Sequence, residues 1–237
     1  MYFRQITFTM LLLISVTALA DTNKKKIERL YHGITGFGIN SQEEKSITQQ
    51  GGAPTYGEIT YESLKTLIDD LKLSEKDVFY DLGSGVGKVT IQVFLCSPVR
   101  KSGGIELSPT RYNYAQQVKA KLQKPNLLDK TKNKLKDIGV MSKSPERKLE
   151  FYNQNIIDAD LSDATVIFMC STCFSDHLMK KLDQKLSKLK KGLRILTLKK
   201  LPESSKLKLI KTYTLPMTWS SGSSVYLYKL TRPVEKG

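Results

Sequence analysis

The central part of the chain alternates between short apolar runs and longer amphipathic segments. The first amphipathic segment runs from Ile59 to Leu71, where apolar side chains recur at helical spacing. Apolar runs with the length of buried strands follow at 78–82, 102–107, 149–154, 164–170 and 193–198. Helical segments fill the gaps at 87–96, 109–123 and 175–190. Strands that alternate with helices form parallel sheets covered on both faces, so the pattern predicts an α/β, doubly wound fold.

The C-terminal part of the pattern differs, because two strand-like runs follow each other without a helix between them. The runs cover Leu207–Leu215 and Ser223–Thr231, and a polar segment that contains Trp219 joins them. They predict an antiparallel hairpin that closes a mostly parallel, seven-stranded sheet.

A glycine-rich turn follows the first predicted strand. Residues Val78 to Lys88 read VFYDLGSGVGK, in which an apolar run reaches Asp81 and alternate glycines follow. Glycine lets the backbone approach a ligand closely, and the next helix begins with free N–H groups. Glu106 ends the next apolar run, at roughly the 20-residue separation from Gly83 that lets a carboxylate reach ribose hydroxyls. Together these features predict a site for a nucleotide-type cofactor.

The spacing of the glycines narrows the choice of cofactor. Gly83, Gly85 and Gly87 form a tight G-x-G-x-G, whereas loops that bind a pyrophosphate read G-x-G-x-x-G. S-adenosyl-L-methionine has no phosphate, and class I methyltransferases that use it have a doubly wound sheet whose last strand is antiparallel. The loop and the hairpin therefore favour a class I methyltransferase, a Rossmann-like fold.

The N-terminus has the features of an export signal. Arg4 precedes a short apolar core from Ile6 to Leu19, and a small-residue cleavage pattern ends at Ala20. This apolar run is shorter than the ~20 residues that a membrane-spanning helix needs. We expect no integral membrane span after the signal is cleaved. Lysines from Lys24 onward favour the alternatives, a membrane anchor or a cytoplasmic protein, because basic residues there tend to stay on the cytoplasmic side. The predicted organisation is a signal or targeting segment at 1–20, a loose N-terminal arm at 21–55 and a methyltransferase domain at 56–237.

The chain carries a net charge of +15, concentrated at Lys119–Lys148 and Lys180–Lys191. Such an excess favours an acidic partner, including nucleic acid, although a solvated lysine-rich surface is the alternative. Three cysteines give no disulfide framework. Cys170 and Cys173 have the spacing of a metal or redox pair, but no second pair exists, so no metal site is predicted.

Several motifs resemble the disruptor-of-telomeric-silencing (DOT-like) family of histone-lysine methyltransferases. That family has the order Y-G-E, D-L-G-S-G-V-G, then G-V-E followed by P-x-x-Y-A. The corresponding segments here are Tyr56-Gly57-Glu58, DLGSGVG at 81–87, GIE at 104–106, PTRYNYA at 109–115, ATVIFMCSTCF at 164–174 and MTWSSGSSVYLY at 217–228. The resemblance extends over about residues 54 to 230 and identifies the chain as a bacterial-type member.

The resemblance implies a set of residues that bind S-adenosyl-L-methionine. Asp81 and the three glycines would lie under its methionine part, Glu106 would accept hydrogen bonds from both ribose hydroxyls, and Tyr56 and Glu58 would form a lid.

Four positions depart from the family pattern. Asn155 takes the place of an acid that holds the adenine amino group. Lys88 replaces a glutamine, where it pairs with the cofactor carboxylate or points to solvent. Cys170 and Ser171 replace two asparagines of the active-site loop, and Cys170 is counted among the cofactor-binding residues.

The implied reaction is in-line attack of a neutral lysine amine on the sulfonium methyl group. An apolar channel lowers the pKa of the lysine because it disfavours the charged form. Phe174, Trp219 and Tyr226 are the aromatic candidates for the channel, and Ser171 is the candidate for orienting the amine by a hydrogen bond. The loop after the fourth strand lacks the N-P-P-Y motif of nucleic-acid amino methyltransferases and the paired glutamates of arginine methyltransferases.

The favoured function is that of a protein-lysine methyltransferase with a histone as the expected substrate. With the signal segment, this suggests an exported effector that modifies a host protein. Two alternatives remain: a methyltransferase directed at RNA or a small molecule, and a non-catalytic S-adenosylmethionine-binding module. The sequence leaves the oligomeric state undefined.

Overall fold

The computed structural model describes residues 22–124, 146–202 and 206–231. The helices are α1 (22–30), α2 (Ser41–Gln49), α3 (Tyr61–Leu71), α4 (Lys88–Cys96), α5 (Pro109–Gln123) and α6 (Asp176–Leu186). The strands are β1 (Val78–Leu82), β2 (Lys101–Glu106), β3 (Lys148–Asn153), β4 (Val166–Met169), β5 (Arg194–Thr197), β6 (Leu207–Met217) and β7 (Ser220–Leu230). Each strand and helix predicted from residue 59 onward is present, with ends that differ by a few residues. The predicted signal segment lies outside the described residues.

The strands form one seven-stranded sheet in the order β3-β2-β1-β4-β5-β7-β6. Strands β1 to β5 are parallel, whereas β7 runs antiparallel to both β5 and β6. The prediction of a doubly wound sheet closed by an antiparallel hairpin is confirmed. The strand order reverses between β1 and β4, and ligands of such sheets bind outside the carboxyl ends of the strands at that point.

Strand β1 is buried on both faces, which explains its continuous apolar run. Val78, Tyr80 and Leu82 face a core that includes α6, while Phe79 faces a second core that includes α3. The amphipathic pattern of α3 has the same cause, because its buried side chains form one stripe against the second core.

Side-chain caps fix where the helices start. Thr60 accepts a hydrogen bond from the Ser63 N–H (3.2 Å) at the start of α3. Ser108 accepts one from the Arg111 N–H (3.1 Å), and Pro109 follows it in the first turn of α5, as predicted.

The prediction of a loose N-terminal arm was wrong for residues 22–49, which contain α1 and α2. Ile27 and Tyr31 are buried in a core with residues of α4 and α5, and Ile47 is buried on α2. The side chain of Asn40 caps α2 by accepting from the Glu43 N–H (2.9 Å). The composition of the segment suggests a loop because these few apolar residues are widely spaced among polar ones. They are nevertheless enough to pack it against the domain.

The terminal hairpin is tighter than predicted, because β6 and β7 are joined at Thr218 and Trp219 alone. Its turn is hydrogen-bonded to the segment before α3. The Thr218 N–H donates to the Glu58 carbonyl (2.9 Å), and the Glu58 N–H donates to Thr218 Oγ1 (3.1 Å). Within the described ranges, every helix is too short or too polar to cross a bilayer.

Candidate functional site

The turn after β1 depends on glycine. Gly83, Gly85 and Gly87 have φ angles of 83°, 54° and 86°, in the left-handed region that favours glycine. The N–H groups of Gly83 and Ser84 both donate to the Ile105 carbonyl (2.9 Å each), which ties the turn to the end of β2. The turn therefore brings β1, the start of α4 and the end of β2 together at the switch point of the sheet.

A cavity of about 1020 Å³ opens above this turn. Its lining includes the turn, the 51–62 segment, the loop after β4 and the hairpin turn. Most of the residues predicted for the site contribute to it: Tyr56, Glu58, Asp81, Gly83, Gly85, Lys88, Glu106, Asn155, Cys170, Phe174 and Trp219. A second cavity of about 440 Å³ lies beside it, lined by α2 and the segment after β3.

Glu106 is buried at the end of β2, where the backbone holds both of its carboxylate oxygens. Oε2 accepts from the Gly85 N–H (2.7 Å) and Oε1 accepts from the Ser108 N–H (2.8 Å). Burial raises the pKa of this carboxyl, although both N–H groups and the Arg111 charge oppose the shift. Each oxygen keeps a further lone pair, so a diol in the cavity could still donate to it.

Asp81 lies at the floor of the cavity and is only 2% exposed. Within the described part of the chain, its Oδ1 has no hydrogen-bond partner. Burial, together with the nearby Glu106 carboxylate, raises the pKa of Asp81 well above its ordinary value. A buried carboxylate in this state is stabilised by a donor or a cation, and the ammonium group of S-adenosylmethionine is both. The residues present therefore fit this cofactor.

The Tyr56-Gly57-Glu58 segment, which the Y-G-E motif predicts as a lid, is held together by side-chain bonds. The Tyr56 hydroxyl donates to Glu58 Oε1, and Glu58 Oε2 forms an ion pair with Lys88 Nζ (2.6 Å). Burial and the Glu58 charge raise the pKa of Tyr56, so its hydroxyl stays a donor. The Tyr56 ring lies directly over Gly85, where an added Cβ would be 2.5 Å from Tyr56 Cε2. In this structure the charge of Lys88 is paired with Glu58 rather than pointing freely to solvent.

The loop after β4 turns alternate side chains in opposite directions. Cys170 faces the cavity with its Sγ 3.9 Å from the Gly57 carbonyl, and burial raises the pKa of this thiol to about 12. Ser171 faces away, where its Oγ bonds Thr197 Oγ1 (2.7 Å) and accepts from the Lys199 N–H (2.9 Å). The structure therefore contradicts the expectation that Ser171 orients the substrate amine, because its hydroxyl is fully buried and already bonded.

Of the three aromatic candidates, two lie at the cavity and one points away from it. Phe174 reaches the glycine turn, where an added Cβ at Gly83 would be 3.4 Å from its Cζ. Trp219 covers Gly57 at the mouth and is 45% exposed. Tyr226 lies opposite Thr197 on β7 and packs against the α6 core, so the structure does not bring it to the cavity.

Asn155 lies between the two cavities, with both ends of its amide bonded. Its Oδ1 accepts from the Ile157 N–H (2.9 Å), and its Nδ2 donates to the Gln50 carbonyl (3.1 Å). The carbonyl keeps one lone pair for an adenine amino group. Its present bonds also connect the segment after β3 to the end of α2.

Arg111 and Tyr31 also shape the site, and sequence reasoning missed both. The Arg111 guanidinium is buried 5.0 Å from the Tyr56 ring centroid. The Tyr31 hydroxyl donates to the Val86 carbonyl (3.1 Å), and its ring lies 5.5 Å from Lys88 Nζ. Arginine on an amphipathic helix is ordinarily exposed, and Tyr31 lies in a polar segment, so neither position carries a signal in the sequence.

Residues 39–216 match the family model described as Histone methylation protein DOT1. A histone-lysine N-methyltransferase of Caenorhabditis elegans, specific for lysine 79 of histone H3, is 33% identical over 168 residues, or 70% of this chain. The corresponding protein of Dictyostelium discoideum is 24% identical over 221 residues, or 85% of the chain. The chain spans only 16% and 11% of the lengths of these two relatives.

Among solved structures, the fold is similar to that of an RNA methyltransferase of Salinibacter ruber in complex with S-adenosyl-L-homocysteine. The TM-score is 0.51 at 22% identity, over 73% of this chain and 94% of that one. The likeness supports the class I methyltransferase fold.

Proposed function

The chain belongs to the DOT1 family of histone methylation proteins, and from that premise we propose that it methylates the side-chain amine of a lysine in a protein, with a histone as the substrate. Its domain is an S-adenosyl-L-methionine-dependent methyltransferase domain. The observation that carries the proposal is the cavity in which Asp81 Oδ1 lacks a hydrogen-bond partner among the described residues, beside Glu106 and beneath Tyr56. A cationic nucleoside satisfies both carboxylates at once.

Bound S-adenosylmethionine would supply an electrophilic methyl group on its sulfonium, so the protein has to orient and desolvate the acceptor. We propose that Asp81 holds the ammonium end and that Glu106 holds the ribose hydroxyls. Asn155 is placed at the adenine end, where its carbonyl can accept a hydrogen bond.

The acceptor lysine has to reach the cavity as a neutral amine. Phe174, Trp219 and Cys170 all line the cavity, with Phe174 beside the glycine turn and the other two at Gly57. The raised pKa of Cys170 keeps the thiol neutral, so Cys170 itself adds no negative charge that would hold the proton on the lysine. The replacement of the family asparagines by Cys170 and Ser171 therefore favours desolvation of the amine over hydrogen bonding to it.

The test is transfer of labelled methyl groups from S-adenosylmethionine to histones, nucleosomes, RNA and lysate, followed by mass spectrometry of the modified product. We expect label on lysine side chains of a histone. Label on RNA or on a small molecule would contradict the substrate class, and binding without any transfer would support a non-catalytic module.

A pair of variants makes this test specific to the cavity. Gly83→Arg places a long charged side chain beside Phe174 and should abolish transfer. Gly192→Arg adds the same charge at another positive-φ glycine, where no described atom lies within 4 Å of an added Cβ, and should retain transfer.

Export remains a proposal that rests on residues 1–20. A protein that acts on a histone after export would have to enter another cell, because S-adenosylmethionine is made in the cytosol. Fractionation of the producing cells tests this, and recovery from their cytoplasm alone would contradict it.

A further inference from the structure

One buried guanidinium ties the part of the chain before α3 to the wall of the cofactor cavity. Arg111 of α5 is only 5% exposed and lines the cavity. Its Nε donates to the Gly36 carbonyl (2.9 Å), and its Nη2 donates to the Pro54 carbonyl (2.6 Å). One side chain thus ties both ends of the segment that contains α2 to the start of α5.

The same guanidinium supports the lid. Its Cζ lies 5.0 Å from the centroid of the Tyr56 ring. That ring in turn rests on Gly85 and fills the space beside Gly36, where an added Cβ would lie 2.1 Å from it. A planar cation that binds two carbonyls and also faces a ring is a task for arginine and not for lysine.

A second contact fixes α2 at the same helix end. Glu43 accepts from the hydroxyls of Ser108 and Thr110 and from the Thr110 N–H (3.1 Å). Ser108 also donates its N–H to Glu106, which is the proposed ribose ligand. The start of α5 therefore connects the cover formed by α2 to the carboxylate that faces the cofactor.

We infer that Arg111 is a positioning residue for the cofactor site: it holds the Tyr56 lid and the 36–54 segment in the cofactor-binding arrangement before the cofactor arrives. Without it, binding has to order this segment, and that cost weakens the affinity. Because the cofactor contacts an assembled lid in the transition state as well as in the ground state, the loss falls on affinity and KM rather than on kcat.

Arg147 provides a matched control. Its Nε donates to the Val99 carbonyl (2.8 Å), its Nη2 donates to the carbonyls of Phe94 and Ser97 (2.6 Å each), and its Cζ lies 4.4 Å from the Phe94 ring centroid. Arg147 thus makes the same kinds of bonds to the backbone and to an aromatic ring. It lies outside the lining of the cavity, so its loss should affect stability without affecting the cofactor.

The experiment is calorimetric titration of the full chain with S-adenosylhomocysteine. Arg111→Met should raise the dissociation constant about tenfold, which corresponds to about 1.4 kcal/mol. Arg147→Met should leave it within about twofold of the wild type, while thermal unfolding measures the loss of stability in each variant, which should be smaller at the exposed Arg147. If Arg111→Met does not fold, Arg111→Lys keeps the charge but loses the two-carbonyl geometry, and should still raise the constant at least about threefold.

The inference rests on the proposed function, and the titration separates the two. Failure of the wild type to bind S-adenosylhomocysteine would contradict the proposed function. Wild-type binding that Arg111→Met leaves unchanged, or that Arg147→Met weakens equally, would overturn the positioning role alone.

Discussion

Gly85→Ala is the substitution that tests most sharply whether the Tyr56 lid lies where the cofactor binds. The change has two separate effects. An alanine at the φ of 54° costs about 1–2 kcal/mol of folding free energy, because its Cβ crowds the backbone in the left-handed region. The same Cβ would lie 2.5 Å from Tyr56 Cε2, so the ring has to move by about 1 Å or more to reach ordinary contact distance.

Displacement of the ring breaks two interactions at once, the bond from the Tyr56 hydroxyl to Glu58 and the contact with Arg111. We therefore expect Gly85→Ala to weaken S-adenosylmethionine binding by about tenfold or more, beyond its effect on stability. Gly192→Ala is the control, because Gly192 has a φ of 93° and no described atom lies within 4 Å of its added Cβ. It should lose stability without losing affinity.

The assays are denaturant unfolding for stability and a fluorescence titration for affinity. Trp219 is the one tryptophan of the chain and packs on Gly57 within the lid segment, so its emission reports on the lid. Adding Tyr56→Ala to Gly85→Ala removes the clash, so the two changes should be strongly non-additive. Equal affinities for the Gly85→Ala and Gly192→Ala proteins would refute the placement of the lid.

Two further predictions concern Asp81 and Ser171. The raised pKa of Asp81 means that the folded protein without cofactor holds this proton more tightly than the unfolded chain does. The free energy of unfolding should therefore fall as pH rises from the ordinary aspartate range. Asp81→Asn should be more stable than the wild type by about 1–3 kcal/mol at neutral pH and should bind the cofactor poorly. Urea unfolding across pH checks this, and a less stable variant contradicts it. Ser171→Ala should lower stability by about 1–2 kcal/mol with kcat and the cofactor KM unchanged, because its hydroxyl bonds Thr197 and Lys199 in the core. A loss of kcat in a fully stable Ser171→Ala protein would contradict that placement.

The sheet and the floor of the site follow from local signals in the sequence. Apart from Asp81, strand β1 had to be apolar because both of its faces are covered, and each left-handed residue of the turn had to be glycine. Glu106 could be placed because it ends β2, which pairs in parallel with β1 from Lys101 to Ile105. Such features depend on the backbone and on neighbours close in the chain, so spacing alone reveals them.

Side-chain direction at the edge of the site could not be predicted in the same way. The side chains of Phe168 and Cys170 lie on the side of β4 and its following loop that lines the cavity, whereas Ser171 points to the opposite side. Because side chains alternate along a strand, an alignment shifted by one residue would exchange the two sides. Tyr226 shares the α6 face with Tyr228, whereas Val225 and Leu227 face the other core. The resemblance to the family aligned these residues but could not say which of two neighbours faces the substrate.

The lid depends on contacts between distant parts of the chain, which no local pattern encodes. Arg111 meets carbonyls of residues 36 and 54, and the hairpin turn meets Gly57 from the far end of the chain. The 22–49 segment looked like a loose arm because its apolar side chains are few, although Ile27 and Tyr31 pack in a core with α4 and α5. Its role as part of the site becomes visible only once the sheet has brought the start of α5 beside the cavity.

The most direct test of the central claim is a crystal structure of the full chain with S-adenosylhomocysteine. We expect the ribose hydroxyls on Glu106, the ammonium group on Asp81 either directly or through one water, and the Tyr56 lid closed above them. A ligand bound away from both carboxylates, or in the smaller cavity beside α2, would contradict it.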